Sequence, residues 1–159
     1  MRGDSDFKNK KLLVFLLISS LFIITDRLLK FLFFHLNPSL EIKLGCINIL
    51  RIKVILNTGA AFGLLTNFRL FLIILPLIVV LLILIYLKKI ISSKDKLLIL
   101  SFLLIFSGAI GNLIDRIFYG RVIDFISIFN IPYFNLADAL ISIGTALFIL
   151  SQILPSKKK

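Results

Sequence analysis

The sequence predicts an all-α membrane protein: four transmembrane helices that carry a small β-sheet on one side of the bilayer. Three observations lead there. Hydrophobic residues make up 59% of the 159-residue chain and the mean hydropathy is +1.07, whereas a soluble domain is about 45–50% apolar. Those residues gather into four runs close to the ~20 residues that cross a bilayer. Between the first two runs, RIKV at 51–54 alternates charged and apolar side chains within a β-branched stretch, 47–55, suited to one or two short strands.

The first run, 12–34, follows Lys8, Lys10 and Lys11. It is too long for a cleaved signal peptide and no small-x-small site follows, so a retained helix is expected. Segment 35–69 carries the strands and then NTGAAFG at 57–63, small residues suited to close backbone contact. The second run, 70–87, contains Pro76 and ends at Lys88 and Lys89; the third, 97–114, runs straight into Asp115-Arg116; the fourth, 135–154, precedes Pro155 and three lysines. Residues 1–159 thus read as one membrane domain. With four spans, the N-terminus, the 88–96 loop and the tail share a side and hold eleven basic residues, against five in 35–69 and 118–134. Basic residues mark the cytoplasmic face. Both termini are therefore expected inside, with the strands and segment 118–134 extracytoplasmic.

The formal charge of +11 would suggest nucleic acid in a soluble chain. Here the cations sit at the ends of apolar runs, with no basic stripe interleaved with aromatics, so no nucleic-acid partner is expected. The single cysteine, Cys46, excludes an internal disulfide and any multi-cysteine metal site. Its KLGC neighbourhood faintly resembles a lipid-modified cysteine, but Lys43 stands where that signal wants an aliphatic residue; a small buried apolar residue is expected.

Ionisable residues in or beside spans are costly and mark candidate sites. Asp26, Asp115, Asp124 and Asp138 all fall toward the outward ends of the spans. Lys30 stands four residues after Asp26, the spacing of a helix-surface ion pair, so both read as structural. In GNLIDR, Asn112, Asp115 and Arg116 share a helical face and read as a hydrogen-bonded, salt-bridged brace, with Arg116 also able to hold a carbonyl or phosphate. Asn135 and Asp138 have the spacing of an N-cap and its N3 partner. Asp124, inside VIDFISI, has no capping role to explain it.

Two carboxylates sharing a site hold one proton between them. The ionised member can then activate a water while the protonated one polarises a carbonyl. That is amide hydrolysis by an aspartic dyad, and it uses no metal or cofactor. His35, the only histidine, sits at a helix end and reads as interfacial; there is no HExxH and no GxSxG. Rival readings are a transporter or channel subunit with proton-binding carboxylates, a structural subunit, and a presenilin-like protease. The clustering at one depth opposes the first, the unexplained pair opposes the second, and the missing YD and GxGD motifs oppose the third.

NTGAAFG (57–63), GNLIDR (111–116), RVIDFI (121–126) and FNLADALISIG (134–144) follow in that order after a helix with Asp26 and Lys30. In this the chain resembles the bacterial lipoprotein signal peptidase (signal peptidase II) family over essentially its whole length. The resemblance implies a four-helix protein of the cytoplasmic (inner) membrane with an extracytoplasmic β-sheet cradle. It implies an aspartic endopeptidase that removes signal peptides from diacylglyceryl-modified prolipoproteins just before the lipidated cysteine. Asp124 and Asp138 then form the catalytic pair. Asn57, Asn112, Arg116 and Asn135 bind substrate or support the dyad, while Asp26, Lys30 and Asp115 are structural. Implied partners are prolipoproteins, membrane phospholipid and globomycin-type inhibitors, with a monomer expected. Where the family often has glutamine after the first-helix aspartate, this chain has Arg27; the Asp124–Asp138 segment is short, and there is no tryptophan.

Overall fold

A computed structural model describes residues 2–59 and 69–154. The elements run α1 (Arg2–Leu36), β1 (Leu40–Leu44), β2 (Ile47–Asn57), α2 (Arg69–Ile91), α3 (Lys96–Phe118), β3 (Val122–Ile128) and α4 (Leu136–Ile153). All four helices are long and apolar enough to cross a membrane. The helices exceed the apolar runs at several ends. α1 has 35 residues, about 50 Å at 1.5 Å per residue, so it outlasts the hydrocarbon. Residues 60–63 of NTGAAFG and the lysine tail lie outside the described residues.

α3 is the most buried of the four, and its composition explains why. Ser101, Ser107, Gly108, Ala109 and Gly111 line it, and small residues let helix backbones approach closely. The closest approach is to α4: a Cβ on Gly108 would run into the Ala137 carbonyl oxygen and stand 2.8 Å from Ile141 Cγ1. Asp95 caps α3 by accepting from Leu97 N (2.9 Å) and Leu98 N (3.2 Å). Pro76, inside α2, lacks an N–H, a loss that packed membrane helices tolerate. The buried apolar core gathers Phe15, Val80, Ile83, Leu87, Phe106 and Leu140, whereas the outward faces carry exposed leucine, isoleucine and phenylalanine.

The strands make one antiparallel sheet in the order β1-β2-β3. Segment 118–134, which reads in sequence as an outer loop, supplies β3. It is hard to see because both of its faces are covered: Val122, Asp124, Phe125 and Ser127 are all buried, so the period of two is blurred. Two turns place it. Tyr119 caps α3, and Gly120 follows with φ of 70°, the left-handed residue that ends many helices. After β3, Phe129 and Asn130 have φ of 49° and 61°, and Ile131 N donates to Ile128 O at 2.9 Å. Two successive positive φ values make a type I′ hairpin turn. The returning chain pairs Phe134 with Ile126. One expectation is corrected: Cys46 is exposed, not buried. It follows Gly45 (φ 58°) in the β1–β2 turn, where no side chain covers it.

Candidate active site

Polar side chains converge where the sheet meets the helix ends. β3 carries Asp124, only 1% exposed. In the β2–β3 register Asn57 stands opposite Val122, so it lies diagonal to Asp124 on the same sheet face. Asn57 Nδ2 accordingly donates to Asp124 Oδ2 at 2.9 Å, while its Oδ1 accepts from Gly59 N at 2.9 Å. The hairpin return delivers Asn135, fully buried, beside β3. Its side-chain oxygen accepts from Asp138 N (2.9 Å), its backbone N–H donates to Asp138 Oδ2 (3.2 Å), and its Nδ2 donates to Asp124 Oδ1 (2.7 Å). The first two bonds form a capping box. The third makes the N-cap a bridge between the two aspartates.

Asp138 Oδ1 accepts from Asn112 Nδ2 of α3 at 2.7 Å, and the Asn112 oxygen accepts from Lys30 Nζ (3.1 Å) and Asn135 Nδ2 (3.2 Å). Both amides are thereby fixed in orientation. Behind them lies a buried ion cluster. Lys30 Nζ is 2.9 Å from Asp26 and 2.8 Å from Asp115, and Arg27 pairs with the same two carboxylates. Arg27 also donates to Gly111 O at 3.0 Å. Asp26 accepts from Ala137 N (3.0 Å) and Asp115 from Ile123 N (3.4 Å), so the cluster ties α1 to α4 and to β3. Two cations and two anions balance, which is what makes such a cluster tolerable away from water. The brace expected within GNLIDR runs between helices instead: Asp115 pairs with α1, while Arg116 turns the other way. Sequence reasoning missed Arg27, whose partner Asp115 is 88 residues away in the chain.

Arg116, Asn57, Gly59, Asp124 and Asp138 line a cavity of about 830 Å³. Its remaining wall is largely apolar, with Ile55, Val122, Ile141 and Ile143, and Tyr133 at one side. Arg116 reaches Gly59 O at 3.5 Å. Arg51 stacks under the Tyr133 ring at 5.2 Å and donates to Ser127 Oγ at 2.8 Å, which props that wall; neither residue carried a motif in the sequence. Burial foremost, then the neighbouring charge of Asp138, pushes the Asp124 carboxyl up to about 7 against the opposing bonds from Asn57 and Asn135. His35 lies apart at the end of α1, bonded to Phe31 O at 2.9 Å. Among the described residues no three histidine, cysteine or carboxylate side chains group as a metal site would need.

The family model for signal peptidase (SPase) II matches residues 18–154. The chain belongs to the signal peptidase II family. Its fold is also that of solved proteins. A bacterial membrane enzyme determined by the in meso method at 2.3 Å matches with a TM-score of 0.78 and 27% identity, over 92% of this chain and 93% of that one. A second such structure, at 1.9 Å, matches with a TM-score of 0.75 and 28% identity, over 90% and 94%. The four-helix bundle with a small sheet is thus the architecture of a family of membrane peptidases, and the chain is a multi-pass member of it.

Proposed function

We propose that the chain is an aspartic endopeptidase that cuts diacylglyceryl-modified prolipoproteins just before the lipidated cysteine. The observation that carries this reading is Asn135, which holds Asp124 and Asp138 from one side chain and backbone at the wall of one cavity. Burial and the nearby charge of Asp138 displace the Asp124 carboxyl upward to about 7, so Asp124 is assigned the shared proton. Asp138 is the base. A water between them loses a proton to Asp138 and attacks the scissile carbonyl. Asp124 donates its proton to the carbonyl oxygen to give the tetrahedral diol. Proton return from Asp138 to the nitrogen then breaks the C–N bond, so the cysteine amine of the lipoprotein leaves, the signal peptide ends in a new carboxyl group, and Asp124 takes back its proton. Arg116 and the Gly59 backbone hold the substrate chain, and Asn57 and Asn112 keep the two carboxylates aimed.

The sheet end of the bundle faces outward in this reading, with both termini in the cytoplasm of a bacterial cell and the chain acting as a monomer in the inner membrane. At that interface water reaches the scissile bond while the acyl chains of the substrate stay in lipid. A cyclic globomycin-type inhibitor would occupy the same cavity. Purified protein in detergent, given a prolipoprotein with and without diacylglycerol on its cysteine, tests it. Cleavage of the lipidated form alone, abolished in Asp124→Asn and in Asp138→Asn, is the expected result. Cleavage that survives either substitution in a correctly folded protein would end the dyad assignment.

A further inference from the structure

A second cavity, of about 670 Å³, lies between α1, the end of α3 and the sheet. Leu56 and Ile123, cross-strand partners in β2 and β3, form its wall. Asp124, the next residue along β3, points to the opposite face and the first cavity. Beside His35 and aliphatic residues, the lining of the second cavity carries two further kinds of side chain. Arg27, Lys30 and Arg121 are cationic, and no aspartate or glutamate shares the lining. Phe31, Phe34 and Tyr119 are aromatic, and all three remain well exposed.

The cations are not equivalent. Arg27 and Lys30 form the floor and are neutralised from behind by Asp26 and Asp115. Arg121 sits at the rim, exposed, and no carboxylate among the described residues pairs with it. The cavity therefore offers one uncompensated positive charge at its mouth. Below the mouth, the outer face of α1 continues with Leu28 and Phe31, each 62% exposed, at a depth where the helix crosses lipid. A charged rim over an apolar track matches an amphiphile with an anionic head and an acyl tail. Aromatic side chains are at home in that interfacial layer.

We propose that this cavity is a binding site for one phospholipid with a net anionic, phosphate-bearing headgroup. Arg121 holds the phosphate, Tyr119 and Phe34 flank it, and a tail runs down α1 past Phe31 and Leu28. The cavity lies across the sheet from the one that holds Asp124 and Asp138 and shares only Leu56 with it, and the proposal does not depend on peptide cleavage.

The test is native mass spectrometry of the full chain released from mixed micelles containing equal phosphatidylglycerol and phosphatidylcholine. One retained phosphatidylglycerol is expected, in preference to phosphatidylcholine. Arg121→Gln should lower that retention about fivefold, the share of one interfacial cation. Lys53→Gln, which removes an exposed charge from β2 outside the cavity, should leave it unchanged. Inorganic phosphate at millimolar concentration should not displace the lipid. Equal retention of both lipids, or retention untouched by Arg121→Gln, would overturn the proposal. Displacement by inorganic phosphate would do the same, by assigning the site to a soluble phosphate.

Discussion

Gly108→Ala adds a single methyl group, yet it should impair catalysis more than it impairs folding. The new Cβ would collide with the Ala137 carbonyl oxygen and stand 2.8 Å from Ile141 Cγ1, where carbon atoms normally rest at about 3.5–4.0 Å. Ile141 has rotamers to yield, but the Ala137 carbonyl belongs to the backbone of the first turn of α4. The helices must therefore part there by roughly 1 Å. Ala137 lies between Asn135 and Asp138, so the movement falls on the residues that hold the dyad. Overpacking of this kind costs about 1–3 kcal/mol of stability, which a four-helix bundle survives. A misplacement of about 1 Å in a reacting group costs on the order of a hundredfold in rate. Gly144→Ala is the matched control: its Cβ would meet the Ser101 carbonyl oxygen at 2.9 Å in the same α3–α4 seam. That position is seven residues, about 10 Å, further along α4 than Ala137. Cleavage rates and thermal unfolding in detergent should show Gly108→Ala losing ~100-fold in kcat at a modest cost in Tm, while Gly144→Ala loses Tm with little loss of kcat. Equal activity of Gly108→Ala and the parent would refute the claim that this contact sets the dyad's geometry.

Activity should fall above about pH 7, as Asp124 gives up the proton it must donate. Asn57→Ala removes a hydrogen bond that favours the ionised carboxylate. It should move this alkaline limb upward by about one unit, the equivalent of one charge-assisted bond, in a pH–rate profile. Because the folded carboxyl titrates above its unfolded value, its contribution to stability is complete below about pH 4 and lost as pH rises through 7. Asp124→Asn should accordingly be inactive, with its Tm rising relative to the parent between pH 5 and pH 8. Lys30→Met would leave two buried carboxylates facing Arg27 alone, at a cost of about 3–5 kcal/mol. A large drop in Tm, recovered in part by adding Asp26→Asn, would show that the cluster's charge balance matters rather than its packing.

The helices were legible because a span is a property of composition over twenty residues, which no tertiary contact needs to supply. The Asn135–Asp138 cap and the Asp26–Lys30 pair were legible for a similar reason: both are i, i+3 or i+4 relations within one helix. What lay hidden were relations across the chain. β3 is covered on both faces, so VIDFISI lacks the alternation that betrays a half-buried strand. The I′ turn that follows uses Phe129 and Asn130, without the glycine that usually announces it. Arg27 is an ordinary surface cation until α3 brings Asp115 to it. Cys46 is exposed although its residue type favours burial, because the tight turn at Gly45 places it by its backbone.

Asn135 is at once the cap that starts α4 and the clamp that joins the two aspartates. α4 therefore brings Asp138, the second carboxylate of the proposed dyad. During synthesis, a chain whose first three helices have been inserted would own Asp124 and its sheet but have nothing to set opposite it. On the proposed reading, a chain that stops short of α4 should therefore show no partial activity.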